Sequence, residues 1–228
     1  MKKVTIFAVA ALALLFVGAL IGRMGPTDRA QAQAVEGAGG PGGGSEGARV
    51  RAEIQNDPLA PTVARQGADV TLVMFSDYQC PFCRKMHPVL EQLMREDPKV
   101  KVVYRDWPIF GAGSVEAAHV AIAAKYQGKH AAFNNALMQT SGKMSSPTIR
   151  TAANKAGVDW TRLQTDLKAH KGEIDALIDR NGRYAATMGL SGTPALLVGP
   201  YLIPGAVDLA GLRKAVELAR AAPDAAAD

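Results

Sequence analysis

The chain is short of cysteine, and that scarcity narrows its chemistry. It has 228 residues and two cysteines, Cys80 and Cys83. A disulfide scaffold is excluded, because that class of fold needs several bridges. A structural zinc site needs four nitrogen or sulfur ligands. Two cysteines give half of one, and His87, His119, His130 and His170 are scattered with no ligand spacing. No metal site and no cofactor motif is read from the chain. No run of five or six basic residues marks a nucleic-acid surface, and the formal charge of +5 is read as solubility alone. No internal repeat period stands out. The apolar content of 48% and charged content of 21% are those of an ordinary globular protein.

The N-terminus supplies an address. Lys2 and Lys3 precede an uncharged apolar run from Val4 to Ile21. That is an export signal, with its positive charge left on the cytoplasmic side. The run is long for a cleaved signal and just long enough for a membrane span. Ala30-Gln31-Ala32 and Ala32-Gln33-Ala34 offer cleavage sites, but Arg23, Asp28 and Arg29 stand in the spacer. An uncleaved anchor is favoured, with a cleaved signal as the alternative. Either one delivers the folded part outside the cytoplasm, where a disulfide is chemically at home. Residues 1–34 are thus expected to be the anchor or signal. Residues 35–57 are expected to be a flexible Gly-rich tether, with a short helix over Ala48 to Gln55. A single folded domain is expected over residues 58–222, and a frayed tail over 223–228.

The remaining signals converge on residues 70 to 88. Val70 to Phe75 reads as a buried strand. Ser76 to Gln79 is a short link that delivers Cys80 to a helix N-terminus, and Pro81 fits the first helical position. Strand, Cys-x-x-Cys and helix in that order mark a thioredoxin-like redox site. The first helical turn leaves N–H groups unpaired and carries partial positive charge, so a thiolate there is favoured over a thiol. Arg84 and Lys85 follow and add positive charge. Cys80 is therefore expected to be the exposed attacking thiolate. Cys83, one turn on and partly covered, is expected to be the resolving thiol.

The rest of the chain reads in order. An edge strand is expected within residues 59–69. The helix that begins at Cys80 should run to Glu96 with a kink at Pro88, and His87 should sit on its surface. Val100 to Tyr104 is the next strand. Trp107 and Phe110 are expected to pack in the core. Ser114 is read as an N-cap. Helical signals then continue to about Met188, forming a block between strands. Ala195 to Val198 and Tyr201 to Pro204 form a hairpin, and Asp208 caps a final helix from Leu209 to about Ala221.

These motifs resemble the DsbA-like thioredoxin family of exported thiol–disulfide oxidoreductases. The matching pieces are Phe75-Ser-Asp-Tyr-Gln-Cys-Pro-Phe-Cys83, Trp107-Pro-Ile-Phe-Gly111, the helical block and Gly192-Thr-Pro194, and the likeness spans roughly residues 58 to 222. The resemblance implies an α/β thioredoxin-like fold with a helical insertion, about residues 114–188, between the two halves of the central sheet. It implies Cys80 and Cys83 as the redox pair. Pro194 resembles the family's cis-proline and Thr193 the residue that flanks it, so these two are the implied substrate-binding residues. One departure stands out. Many thioredoxin-like proteins carry a buried acid six residues before the first cysteine, and here that position is Met74. Asp77 is read as a turn residue, which leaves the proton of Cys83 without an assigned acceptor.

The implied partners are exported cysteine-containing polypeptides and a membrane redox partner that resets the pair. The direction of exchange is read as oxidation. Reduction or isomerisation is the alternative, since Thr193 resembles the residue found in those relatives. A peptide-holding module without turnover and a reductase dedicated to metal or haem maturation are the remaining readings.

Overall fold

A computed structural model describes residues 45–222. The anchor and tail readings for residues 1–34 and 223–228 lie outside the described residues. So does the first part of the tether.

The structure begins with helix α1, Ser45–Asn56. The short helix expected here is longer than its sequence signal, and Ile54 on it is fully buried in the core. The second part of the expected tether is thus folded onto the domain, because an apolar side chain near its end finds a site that the Gly-rich composition did not reveal.

The chain then enters a five-stranded sheet in the order β1-β3-β2-β4-β5. The strands are β1 Thr62–Val63, β2 Val70–Ser76, β3 Val100–Asp106, β4 Ala195–Val198 and β5 Tyr201–Pro204. β2 and β3 run parallel, and every other pairing is antiparallel. A parallel pair needs a crossover, and helix α2, Pro81–Glu96, supplies it. Between β3 and β4 come helix α3 Ala112–Ala123, a 3-10 turn at Ala124–Gln127, and helices α4 His130–Met138, α5 Ser146–Lys155, α6 Trp160–Ala169 and α7 Lys171–Thr187. Helix α8, Leu209–Ala221, closes the chain, with the Asp208 carboxylate accepting the Gly211 N–H at 2.8 Å as an N-cap. This is the expected thioredoxin-like architecture with its helical insertion.

The sheet is covered on both faces, so β2 and β3 are buried almost throughout rather than alternately exposed. Alternation still sorts their side chains. Leu72, Met74, Val102, Tyr104, Leu196 and Val198 meet α2 and α8 through Met86, Leu90, Leu93, Leu212 and Val216. Val73, Phe75, Val103, Ala195 and Leu197 meet α1 and the helical block through Ile54, Phe133, Ile174 and Leu177.

α2 runs to Glu96 with Pro88 inside it, the span expected. Three local expectations change. His87 is buried, because α4 packs against that side of α2 and Asn135 Oδ1 lies 2.9 Å from His87 Nε2. Phe110 is 49% exposed instead of packed in the core, whereas Trp107 does pack against it. Ser114 is the third residue of α3 and not its cap. Gly111, with φ of 94°, turns the chain into the helix earlier, a conformation that glycine adopts without a Cβ clash.

Candidate active site

The register of β2 with β4 assembles the site. Phe75 lies opposite Ala195, and the two strands are antiparallel. The residues just before β4, Thr193 and Pro194, therefore lie beside the link that follows β2. A separation of more than a hundred residues in sequence becomes contact. The Cys80 thiol donates to the Thr193 carbonyl at 3.1 Å. The Thr193–Pro194 peptide bond is cis, as the resemblance implied.

Cys80 is the N-cap of α2, and its Sγ accepts the Cys83 N–H at 3.4 Å. That is the helix-end placement read from the sequence, and it lets an orphan donor of the first turn face the sulfur. Both cysteines are free thiols one turn apart. Their burial differs from expectation: Cys80 is 1% exposed and Cys83 fully buried. The Thr193 carbonyl bonded to Cys80 Sγ is part of what encloses it, a cover that only the folded chain provides. Phe82 between them is 61% exposed. Burial pushes the Cys83 thiol far up. The Asp77 N–H and the Thr193 hydroxyl, which face it, pull the other way without cancelling that effect.

The link before Cys80 is held by a network that sequence reasoning missed. A turn role is expected for Asp77. Its Oδ1 does accept the Gln79 N–H at 2.6 Å, as an Asx turn would. The same carboxylate also accepts the Ile109 and Phe110 N–H groups at 2.7 and 3.0 Å and the Ser114 hydroxyl at 2.7 Å. Gln79 reinforces it. Its amide donates to the Phe110 carbonyl at 2.9 Å and accepts the Met144 N–H at 2.8 Å. Asp77 and Gln79 thereby fasten the cysteine loop to the loop after β3 and to the helical block. These bonds hold the backbone of Ile109 and Phe110 inward, and their side chains stand exposed. The one sequence signal for this hub was an acid placed in a very short link between a buried strand and the cysteines. Arg84 is spent on structure, donating to the Tyr78 and Gly142 carbonyls at 2.8 and 3.0 Å. Among the described residues, no cluster of three or more His, Cys, Asp or Glu side chains converges on a metal position.

Residues 71–217 match the DSBA-like thioredoxin domain. The chain belongs to the DsbA-like thioredoxin family. A thioredoxin-like oxidoreductase from Silicibacter pomeroyi DSS-3 is 42% identical, with a TM-score of 0.72 over 76% of this chain and 99% of that one. The thiol-disulfide exchange protein alpha-DsbA2 from Wolbachia pipientis is 29% identical, with a TM-score of 0.71 over 75% of this chain and 91% of that one. A periplasmic thioredoxin-like protein from Salmonella enterica serovar Typhimurium is 30% identical, with a TM-score of 0.66 over 76% of this chain and 97% of that one. A curated sodium/proton antiporter, NhaA 1 of Mycolicibacterium gilvum, is 26% identical over 159 residues, which are 68% of this chain and 26% of the antiporter. The chain thus spans about a quarter of the length of the curated relatives it matches. The fold and the closely spaced dithiol are those of a DsbA-like thiol–disulfide oxidoreductase site.

Proposed function

We propose that the protein is a periplasmic thiol–disulfide oxidoreductase that passes a Cys80–Cys83 disulfide to exported cysteine-containing polypeptides. One observation carries this reading. Cys80 caps the N-terminus of α2, with the Cys83 N–H on its sulfur and the Thr193 carbonyl beside it. At the helix end the sulfur of Cys80 faces the first-turn N–H of Cys83, which makes Cys80 the member of the pair that exchanges with the client. Buried Cys83, with its thiol pushed far up, is the resolving partner.

In the oxidising direction a client thiolate attacks Cys80 Sγ of the disulfide, and Cys83 leaves as a thiolate and takes up a proton. A second client thiolate then attacks the client sulfur of the mixed disulfide. The client disulfide forms, and Cys80 leaves as a thiolate. The client loses two electrons and the protein gains them. A membrane redox partner returns the pair to the disulfide. Thr193 and Pro194 line the path of the client beside Cys80. Residues 1–34 act as the membrane anchor in this reading. Among the described residues, no helix is long and apolar enough to cross a membrane.

The periplasmic placement draws on the Salmonella relative and the exchange activity on the Wolbachia one. Antiport belongs to the longer curated relatives and is not carried over. The test is the equilibrium of the full chain with glutathione. A potential near about −120 mV, as in DsbA, identifies a donor of disulfides. A value near or below roughly −200 mV identifies a reductase or isomerase instead. Absence of reversible exchange overturns the enzyme reading.

A further inference from the structure

β3 ends in a carboxyl group with no ion-pair partner among the described residues. Asp106 is 1% exposed, and among those residues no hydrogen bond of ordinary geometry reaches either of its oxygens. A buried carboxylate without partners is costly, and its retention asks for a reason. Its neighbours are equally unusual. Ser76, its register partner on β2, is buried with its hydroxyl unpartnered. The buried Tyr78 hydroxyl is unpartnered too, although it faces the Asp106 carboxyl closely enough to favour its charge. The charged group that acts on Asp106 is another carboxylate, Asp77. Tyr104, on the same face of β3, is buried and feels the Asp106 charge, and the His130 ring lies 5.1 Å from it. Arg105 is taken by Asp57 on the opposite face. The Asp106 backbone is fixed by Asn181, whose amide donates to its carbonyl at 2.9 Å.

Position gives the group a meaning. Met74, where many thioredoxin-like chains hold an acid, pairs in register with Tyr104, and Ser76 pairs with Asp106. By alternation all four side chains belong to the sheet face that α2 covers. Asp106 thus stands one strand over from the missing acid. It is one same-face step, about 7 Å, nearer the cysteine link. Asp77 joins the two regions. Its N–H faces the Cys83 sulfur, and its carboxylate acts on Asp106.

We propose that Asp106 is the proton store of the dithiol site, acting through the Asp77 turn and the Tyr78 hydroxyl. The inference rests on reading Cys80 and Cys83 as an exchanging pair. When Cys83 resolves a mixed disulfide, its sulfur bonds to Cys80 Sγ, the bond from Cys80 to the client sulfur breaks, and the client leaves as a thiolate with the electron pair. The Cys83 proton goes to the Asp106 carboxylate. In the reverse step Cys83 leaves as a thiolate and the Asp106 carboxyl returns the proton. Asp106 is a positioning residue for that proton rather than a group that touches sulfur. Burial, with the Asp77 charge adding to it against the opposing Tyr78 hydroxyl, pushes Asp106 up to about 7. A group half-ionised near neutrality can serve both directions.

The test uses the full chain loaded as a Cys80–glutathione mixed disulfide. Release of glutathione by Cys83 is followed by acid quench across pH 5 to 9, as a range of about two units either side of neutrality. The wild-type rate should rise with an inflection near 7. Asp106→Asn should lose that inflection and run about 100-fold slower at neutral pH. A variant within about threefold of wild type, with the inflection kept, would overturn the proposal, because general acid–base help ordinarily exceeds that. A second measurement needs no variant. The 13C carboxyl resonance of Asp106 in the wild-type protein should titrate at different midpoints in the dithiol and disulfide forms, and identical midpoints would also overturn it. Absence of any exchange in wild type would sink both the oxidoreductase reading and this inference. Exchange with an unaffected variant would sink only the inference.

Discussion

Asp57→Asn is the substitution from which the largest loss of stability is expected. Arg105 is fully buried, and its guanidinium is held on several sides. One nitrogen donates to Asp57 Oδ2 at 2.9 Å and to Asn181 Oδ1 at 3.1 Å, and the other to the Ile54 carbonyl at 2.5 Å. Asp57 is its counter-charge, and Arg180 donates to the same oxygen at 2.7 Å from the partly exposed side. The network ties α1 and α7 to β3. Replacing Asp57 by Asn keeps the shape and leaves Arg105 buried without a counter-ion. Breaking a buried pair from one side costs about 3–5 kcal/mol. The partly exposed Arg180 contributes about 1 kcal/mol or less once solvent screening is allowed for. At a urea slope of roughly 2–3 kcal/mol per molar, Asp57→Asn should lower the midpoint by about 1–2 M, and Arg180→Met by under 0.5 M. The pH dependence carries a sign. Burial pushes the Asp57 carboxyl up, but hydrogen bonds from Arg180, the Leu59 N–H and Arg105 outweigh it, and its pKa is lowered in the fold. The stability it gives is present above the unfolded value of about 3.9 and is lost as pH falls below it. The gap between wild type and variant should therefore close below that pH. A midpoint loss for Asp57→Asn no larger than that for Arg180→Met would refute the reasoning.

The other expectations rest on separate parts of the molecule. A Cβ on Gly113 would lie 2.3 Å from the Met144 carbonyl oxygen, so Gly113→Ala should cost about 1–3 kcal/mol in a thermal melt, despite the better helix propensity of alanine. Asp77→Ala removes the acceptor for three backbone N–H groups and a hydroxyl. It should speed amide hydrogen exchange at Ile109 and Phe110, and it should slow disulfide exchange by about tenfold or more, as misplaced groups do. Asp106 has a raised pKa in the fold, so its contribution is fully favourable below about 3.9 and is lost as pH rises through about 7. Three pH units at about 1.4 kcal/mol each bound that loss at about 4 kcal/mol. Asp106→Asn should flatten the stability profile over this window in urea titrations at successive pH values.

The sequence by itself determined the fold class and the dithiol. A buried strand followed by Cys80, Pro81 and Cys83 at a helix start is local information, because strand propensity, proline at the first helical position and two-residue spacing each act within one turn of chain. The Asp208 cap and the hairpin from Ala195 to Pro204 were legible for the same reason. Thr193 and Pro194 were reached through family likeness, and the antiparallel register of β2 and β4 supplies the physical cause of their nearness to Cys80. What only the tertiary structure decided is the environment of each group. His87 is buried because α4 packs on α2. Phe110 is exposed because Asp77 holds its N–H inward. Cys80 is enclosed beside a carbonyl a hundred residues away in the chain. Asp77 and Asp106 look alike in sequence, each an acid at the end of an apolar strand. In the fold one carboxylate is saturated with donors and the other is left facing the Tyr78 hydroxyl. Partners of that kind are supplied by packing between distant segments, and packing is a property of the whole chain rather than of any window of it.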